Sequence, residues 1–442
     1  VLSGGAGPDA LYSPGGRARL AGGAGDDTYW VWEHTDQVME APQEGIDTVF
    51  AHAHRFSLPA EVENLVVESH GGHGTGNALD NLITGKAGSQ TLDGGPGNDV
   101  LTGGPGADTF IIRHGQGSDV ITDFTPGEDT IRIGGEGSPL TSPAALHAAL
   151  SQAGEDAVLN LGGGESLTLR GVQAAGLAPQ AFRLPVDRTA LRPSFAEEFE
   201  DAARFRATAD GRDPASGEAV WRSVYHWGER GIARNGEVQF YGDAEIGPNP
   251  FRVADGALEI TAAPAEGLPR GLTHGSGLIT SQASFAQTYG YFEMRAQLPA
   301  AQGLWPAFWL LPADLSWPPE IDVMEMLGHD PGTIYASLHW KEGGADQHRT
   351  TAVPVADVSA GFHRFALSWR PDEIRWFVDD LEVHRMPTPP GMHQPFYLLA
   401  NLAVGGPDAW PGAAAGDATG TMKIDYIRAA QFKDLEPGPA RR

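Results

Sequence analysis

No cysteine occurs among the 442 residues, so no disulfide braces this chain and no thiol serves as nucleophile or metal ligand. Positive charge is scarce: 30 Lys and Arg stand against 57 Asp and Glu, a formal charge of −27. Proteins that grip a phosphate backbone concentrate Lys and Arg, so nucleic acid is excluded as a partner. No apolar run approaches the roughly 20 residues needed to cross a bilayer, and no secretory leader opens the sequence. The 15 histidines form no H-E-x-x-H pair, no G-x-S-x-G elbow is present, and no Gly-rich stretch runs into Lys-Ser or Lys-Thr. Zinc hydrolysis, serine acyl transfer and phosphate-loop chemistry are thereby set aside.

Glycine, by contrast, is abundant and in register. Gly4-Gly5-Ala6-Gly7-Pro8-Asp9, Gly22-Gly23-Ala24-Gly25-Asp26-Asp27, Gly94-Gly95-Pro96-Gly97-Asn98-Asp99 and Gly103-Gly104-Pro105-Gly106-Ala107-Asp108 share the template G-G-x-G-x-D-x-U-x, with U a large apolar residue. Positions 4, 13 and 22 are nine apart, as are 76, 85, 94 and 103. A flexible Gly-rich linker would not keep that phase with Asp and an apolar residue fixed. The array resembles RTX calcium-binding repeats. Glycines allow tight turns that expose carbonyls, and each aspartate adds a hard anionic oxygen for an ion that takes six to eight. Calcium is therefore the expected cofactor, with Asp9, Asp27, Asp99 and Asp108 as side-chain ligands. Ala18, Asn81 and Gln90 replace the aspartate in three degenerate units, which predicts fewer ions than repeats.

Residues 31–75 carry short alternating strands that should continue the stack, and residues 118–133 resemble the capping segment of such rolls. There Asp119, Asp123 and Asp129 either add a metal site or make a hydrogen-bonded turn. Pro143-Ala144-Ala145-Leu146-His147-Ala148-Ala149-Leu150 reads as the one helix. The expected organisation is a calcium-binding β-roll with its cap over 1–185, a linker over 186–192, a strand-rich domain over 193–432, and a tail over 433–442. Val1-Leu2-Ser3 reads as the end of a repeat whose start is missing, which makes the sequence a fragment on this reading.

In the strand-rich half, Glu320-Ile321-Asp322-Val323-Met324-Glu325 places three carboxylates among apolar β-formers. A regular strand would send Glu325 to the face opposite Glu320 and Asp322. One bulged residue at Val323 or Met324 restores the phase. Two carboxyls about 5–5.5 Å apart suit a retaining glycosidase, and a third acid between them drives their pKa values apart. Taken alone, acids on a strand more often mark a solvated face. The context differs, since Trp305, Trp309 and Trp317 flank the acids and aromatic planes stack on sugar rings.

Gly290-Tyr291-Phe292-Glu293-Met294-Arg295, Gly303-Leu304-Trp305-Pro306-Ala307-Phe308-Trp309, Phe362-His363-Arg364-Phe365, Asn401-Leu402-Ala403-Val404-Gly405-Gly406 and Met422-Lys423-Ile424-Asp425-Tyr426-Ile427-Arg428 complete the pattern. Together with the acidic hexapeptide, residues 193–432 resemble glycoside hydrolase family 16, retaining endo-β-glycanases on a β-jelly-roll. The resemblance implies Glu320 as nucleophile, Asp322 as assisting acid and Glu325 as general acid/base. It also points to bacterial exopolysaccharide glycanases of the succinoglycan-depolymerising type and to β-1,3-glucanases. Asn401 and His339 would then contact sugar, or in the case of His339 simply pack. Trp305 and Trp309 line the cleft if their strand faces inward, and otherwise fill the core. Trp410 is placed for stacking, while Trp227 and Arg230 belong to the glycone side. A structural calcium opposite the cleft is implied at the Gly256 carbonyl and Asp425, for which a plain surface aspartate is the alternative.

The fold class expected is all-β, a parallel β-roll followed by a β-jelly-roll sandwich. The function expected is a secreted endo-β-glycanase, monomeric, with polysaccharide substrate and calcium ions as partners. The alternatives are a calcium-dependent polysaccharide-binding or adhesion protein that does not cut, and a transglycosylase. Type I export fits the repeats, although Phe432-Lys433-Asp434-Leu435-Glu436-Pro437 does not resemble its usual signal.

Overall fold

The protein is described here by a computed structural model over residues 1–435; the rest of the expected tail, including Glu436 and Pro437, lies outside the described residues. The chain divides into two compact units. One is Val1–Asp187 with Asp380–Glu382, and the other is Arg188–Asp379 with the chain from Val383 onward.

The first unit is a parallel β-roll. Ala10 pairs with Thr28, Leu82 with Val100 and Thr91 with Thr109, so two nonapeptides make one 18-residue turn. Alternate half-turns feed opposite sheets, which is why the repeat is nine residues long. The segment between the arrays continues the same sheet: Thr48–Ala51 and Asn64–Val67 lie between Thr28–Val31 and Leu82–Gly85. The U positions point inward, where Tyr29, Leu101 and Phe110 are fully buried alongside Val49, Leu65, Ile83 and Leu92. Burying side chains of this size stabilises by roughly 1.5–3 kcal/mol each, set against the entropy of ordering so much glycine.

Asp119–Ile121 and Thr130–Gly134 extend the two sheets. Among the described residues the single α-helix is Pro143–Ala149, started by the Ser142 hydroxyl accepting from the Ala145 amide and by Pro143 at its first position. An antiparallel hairpin, Asp156–Gly162 with Glu165–Leu169, then covers the last rung. Capping of this kind closes an edge that would otherwise template further strands.

The second unit is a two-sheet sandwich. One sheet is centred on Gly420–Phe432, flanked by Ala257–Pro264 and Gly290–Gln297. The other runs Leu278–Thr280, Phe396–Val404, Leu304–Pro312, Glu320–Met326, Thr333–Glu342 and Ala345–Pro354. Phe292, Met294, Phe308, Leu310, Ile321, Met324, Phe365 and Leu398 are fully buried in this unit. Antiparallel sheets tolerate one wet face, so alternate residues of the second sheet are free to line a groove.

The segment expected to be a linker is divided: Val186 and Asp187 belong to the first unit, and from Arg188 onward the chain belongs to the second. Leu191–Glu197 is a strand paired with Gly420–Phe432, and Arg188 donates to Glu293 at 2.5 Å and to Tyr291 at 3.3 Å. A buried glutamate needs a cation or donors. Glu293 recruits Arg188, Tyr291 and Tyr426, so residues that read as a hydrophilic connection are pinned.

Candidate active site

Glu320 faces His339, Asp322 faces Ser337 and Glu325 faces Tyr335, which leaves Val323 and Met324 opposite a single residue. On the other side Phe308 pairs with Met324 and Trp309 with Asp322, so the extra residue is Val323. Ile321, Val323, Met324 and Met326 all point into the core. The bulge therefore keeps every apolar side chain buried while it turns Glu325 to the face of Glu320 and Asp322. From the opposite sheet, the Trp376 indole donates to the Asp322 carbonyl at 2.9 Å and fixes the start of the bulge.

Each glutamate is held by an indole. Trp317 Nε1 donates to Glu320 Oε2 at 2.6 Å, and Trp305 Nε1 donates to Glu325 Oε1 at 3.1 Å. Ser337 Oγ lies 3.3 Å from the other oxygen of Glu325 and 3.0 Å from the Thr350 hydroxyl. Asp322 is buried, with His339 Nε2 at 3.5 Å from its Oδ2.

The electrostatics separate the two glutamates. Burial and the Asp322 charge push Glu320 up to about 8. Burial, Asp322 and Glu320 together push Glu325 well above the usual carboxylate range. Glu325 thus keeps its proton when Glu320 has lost its own. His339 is opposed by burial, but the hydrogen bond and charge of Asp322 raise it to about 9, so it is cationic at neutral pH. That cation tempers the acidic trio.

These groups sit in a groove of about 1040 Å³. Trp227, Trp317 and Trp410 are exposed along it, with Trp227 stacked on Tyr225 at 4.4 Å and Trp410 edge-on to Trp305 and Tyr335. Both Trp305 and Trp309 border the groove, so their strand presents them to it, although Trp309 is largely buried.

Asn401 and Arg230, both expected at the sugar, are hydrogen-bonded within the protein. Asn401 is buried, its side chain accepting from Trp309 Nε1 at 2.7 Å and donating to the Tyr241 hydroxyl at 3.0 Å. It positions the Trp309 ring and at the same time borders the pocket that holds Glu320, Asp322 and Glu325. Arg230 donates to the Tyr241 carbonyl at 2.7 Å and to Asp243 at 2.8 Å, behind the groove wall. A buried aspartate has claimed it. Trp317, Ser337 and Arg234 also line the groove. Trp317 has a sequence signal, an aromatic just ahead of Pro318-Pro319-Glu320; the other two have none.

In the roll, one oxygen of each key aspartate is structural. Asp27 Oδ1 accepts from the Asp9 amide, Asp99 Oδ1 from Asn81 and Asp108 Oδ1 from Gln90, each at 2.7 Å and 18 residues away. The second oxygens of Asp27, Asp99 and Asp108 are buried and without a hydrogen-bond partner. A Cβ added to Gly94 would fall 2.1 Å from Asp99 Oδ2, and one on Gly103 would fall 2.4 Å from Asp108 Oδ2. Buried anionic oxygens aimed beside bare backbone fit calcium. Asp9 is half-buried at the first turn, its Oδ2 placed likewise against Gly4.

Burial raises Asp99 to about 7 and Asp108 and Asp119 to about 6, with neighbouring carboxylates adding to the effect. Asp119 joins the row, its Oδ1 accepting from the Asp99 amide at 3.0 Å. Asp123 does not fit a metal: its two oxygens accept from the Gly103 and Gly104 amides at 2.9 and 2.8 Å, a hydrogen-bonded clasp. In the degenerate units an amide takes the place of a cation. Asn81 Nδ2 donates to the Glu63 carbonyl at 3.1 Å, and Gln90 Nε2 donates to the Ala87 carbonyl at 3.2 Å.

At the implied calcium position, Gly256 and Asp425, the carboxylate is paired with an arginine. Arg295 Nη1 lies 2.6 Å from Asp425 Oδ2, so the carboxylate already has its cation. Gly256 occupies a left-handed turn position beside Asp255, which accounts for a glycine there without a metal.

A bulged strand that floors an aromatic-walled groove with three acids defines a glycoside hydrolase. The model of "Glycosyl hydrolases family 16" matches residues 243–428, and that of "RTX calcium-binding nonapeptide repeat (4 copies)" matches residues 1–29 and 75–110. The chain is 43% identical over 441 residues to "Endo-1,3-1,4-beta-glycanase ExsH" of Rhizobium meliloti (strain 1021), covering 97% of this chain and 92% of that protein. It is 42% identical over 443 residues to "Endo-1,3-1,4-beta-glycanase EglC" of the same organism, with the same coverage. A "Beta-glucanase" of Rhodothermus marinus is 36% identical over 221 residues, 44% of this chain and 74% of that one. The chain belongs to glycosyl hydrolase family 16, with RTX calcium-binding repeats, and is an endo-β-glycanase.

Proposed function

We propose that the protein is a secreted, retaining endo-β-glycanase that cuts internal β-1,3 or β-1,4 linkages of a bacterial exopolysaccharide by double displacement. Glu320 attacks the anomeric carbon while Glu325 protonates the leaving oxygen. Glu325 then takes the proton of the water that releases the sugar from Glu320. Asp322 raises both glutamates, Glu325 the further because Glu320 acts on it as well, and the His339 cation offsets part of their charge. The observation that carries this reading is the Val323 bulge, which puts all three acids on one face with each glutamate clamped by its own indole. Calcium in the roll and export to calcium-rich surroundings are part of the same proposal, supported by the partnerless aspartate oxygens.

The linkage comes from the two 1,3-1,4-glycanase relatives. Hydrolysis of lichenan followed by proton NMR is expected to give the β-anomer first, with the α-anomer appearing only by mutarotation. First appearance of the α-anomer would show inversion and remove Glu320 as nucleophile. A panel of laminarin, lichenan, agarose and succinoglycan ranks the substrates.

A substituted, acidic polymer is favoured by Arg234, an exposed cation whose guanidinium lies 5.6 Å over the Trp317 ring at the edge of the groove. A carboxylate substituent on a sugar stacked there would meet that charge. Arg234→Gln is expected to raise KM for succinoglycan several-fold and leave KM for neutral lichenan unchanged. Equal effects on both polymers would remove the acidic-substrate reading.

A further inference from the structure

The region between the two repeat arrays contains a second kind of acidic cluster. Asp27, Glu40 and Asp47 each present an oxygen within 4.8 Å of the others. Asp27 and Asp47 are 1% exposed. Their Oδ1 atoms are fixed, accepting from the Asp9 amide at 2.7 Å and the Asp27 amide at 2.8 Å. Their Oδ2 atoms are buried with no partner, and so are both oxygens of Glu40. Three carboxylates share a buried space; the charges that act on Glu40 and Asp47 there come from Asp26, Glu44 and Glu63 as well as from Asp27 and Asp47, and the Gly22 amide alone favours the Glu40 anion, although it also donates to the Tyr29 hydroxyl at 2.7 Å. Leaving one buried ionised oxygen unpaired is costly, and leaving four converging is more so.

The backbone explains why Glu40 arrives there. Strand Gln37–Met39 pairs in parallel with Arg19–Ala24, with Leu20 opposite Val38 and Ala21 opposite Met39. One residue further, Glu40 stands against Gly22, the first glycine of a repeat. Positions 4, 22 and 40 are thus one phase, with glutamate where the repeat has glycine. A Cβ at Gly22 would lie 1.9 Å from Asp27 Oδ2, so side chains from this phase point at the row of aspartate oxygens. Because the next turn has 20 residues instead of 18, Asp47 occupies the place of the repeat aspartate without any G-G-x-G-x before it.

We propose that Asp27, Glu40 and Asp47 form a calcium site of their own, in which a glutamate side chain replaces a contact that the repeat glycine makes with its backbone. All donors are hard oxygens, with no His or Cys, which excludes zinc and copper preference. Donors brought from three separate segments suit the irregular shell of Ca²⁺ better than the strict octahedron of Mg²⁺. The choice of ion rests on the calcium reading of the roll given above; the existence of the site rests on the trio.

The test is calcium counting by equilibrium dialysis on the full chain after chelator stripping. Wild type, Glu40→Gln and Asp108→Asn are compared, the last removing a repeat ligand far from the trio. Glu40→Gln is expected to bind one ion fewer than wild type, and the double variant two fewer. A Glu40→Gln count and affinity equal to wild type, alongside a reduced count for Asp108→Asn, overturns this site alone. If neither variant changes the count, the calcium reading of the whole roll fails. Melting supplies the second readout. In chelator Glu40→Gln should melt at or above the wild-type temperature, since it relieves repulsion, and in saturating calcium below it. Melting below wild type in chelator would make Glu40 a metal-free structural residue and overturn the site. Lichenan hydrolysis at saturating calcium should be unchanged.

Discussion

Glu320→Gln and Glu325→Gln are each expected to fold like the wild type and to lose turnover on lichenan by different routes. Removing the nucleophile should cost on the order of 10⁴-fold or more in kcat, because no covalent intermediate forms. Removing the acid/base should cost roughly 10²–10⁴-fold. The two losses are separable by stereochemistry. In Glu325→Gln a small anion such as azide attacks the glycosyl-enzyme and yields a β-product; in Glu320→Gln it enters directly from the opposite face and yields an α-product. The pH profile gives an independent check. Activity needs Glu320 ionised and Glu325 protonated, so it falls below the lower of the pair's two transitions and above the upper one. Burial and the Asp322 charge raise both groups, Glu320 to about 8. The acid limb should therefore lie well above the ordinary carboxylate value of about 4.3, and Asp322→Asn should move both limbs to lower pH. Near-normal turnover in either glutamine variant would end the assignment.

Much of this site is legible in the sequence because its logic is local. The E-x-D-x-x-E spacing is out of phase for a strand by one residue, and the core demands that Ile321, Met324 and Met326 stay inside, so a bulge is the economical solution. The roll is legible for the same reason: a nine-residue phase is a local property that folds into an 18-residue turn. What the sequence hides are polar residues whose partner is remote. Asn401 bonds Trp309 and Tyr241, 92 and 160 positions away, and Asp425 meets Arg295 at a separation of 130. An isolated asparagine or aspartate reads equally well as a ligand contact or as a strut until those partners are placed. Asp123 fails for a subtler reason, since its clasp on Gly103 and Gly104 uses amides, which carry no residue signature. Glu40 is the converse case: the phase 4, 22, 40 is present in the sequence, but substitution of glycine by glutamate looks like decay of the repeat until its neighbours are seen to be acids.

Calcium removal has the second large expected effect, and its pH dependence fixes the cause. In chelator the segment 1–185 should unfold while the sandwich remains intact, read by amide hydrogen exchange: protection lost in Thr28–Val31 and Val100–Thr102, retained in Gly290–Gln297 and Glu320–Met326. The magnitude is set by linkage. Each site at a calcium concentration of 100 Kd stabilises by about 2.7 kcal/mol, so losing two or three removes an amount comparable with the whole stability of a typical domain, about 5–15 kcal/mol. Without metal the roll's carboxyls have raised values, Asp99 and Glu40 to about 7 and Asp47, Asp108 and Asp119 to about 6, each from burial first. Between the unfolded-chain value near 4 and those raised values the folded roll binds more protons than the unfolded chain, so its stability falls as pH rises through that window. The metal-free roll should accordingly be most stable near pH 4 and weakest above pH 7, the reverse of a protein held by salt-bridged acids. Chelator should shift the melting of the roll little at pH 4.5 and strongly at pH 8. An equal shift at both pH values would mean that calcium does not neutralise these buried acids, and unchanged exchange across 1–185 in chelator at pH 8 would mean that it does not hold the roll together.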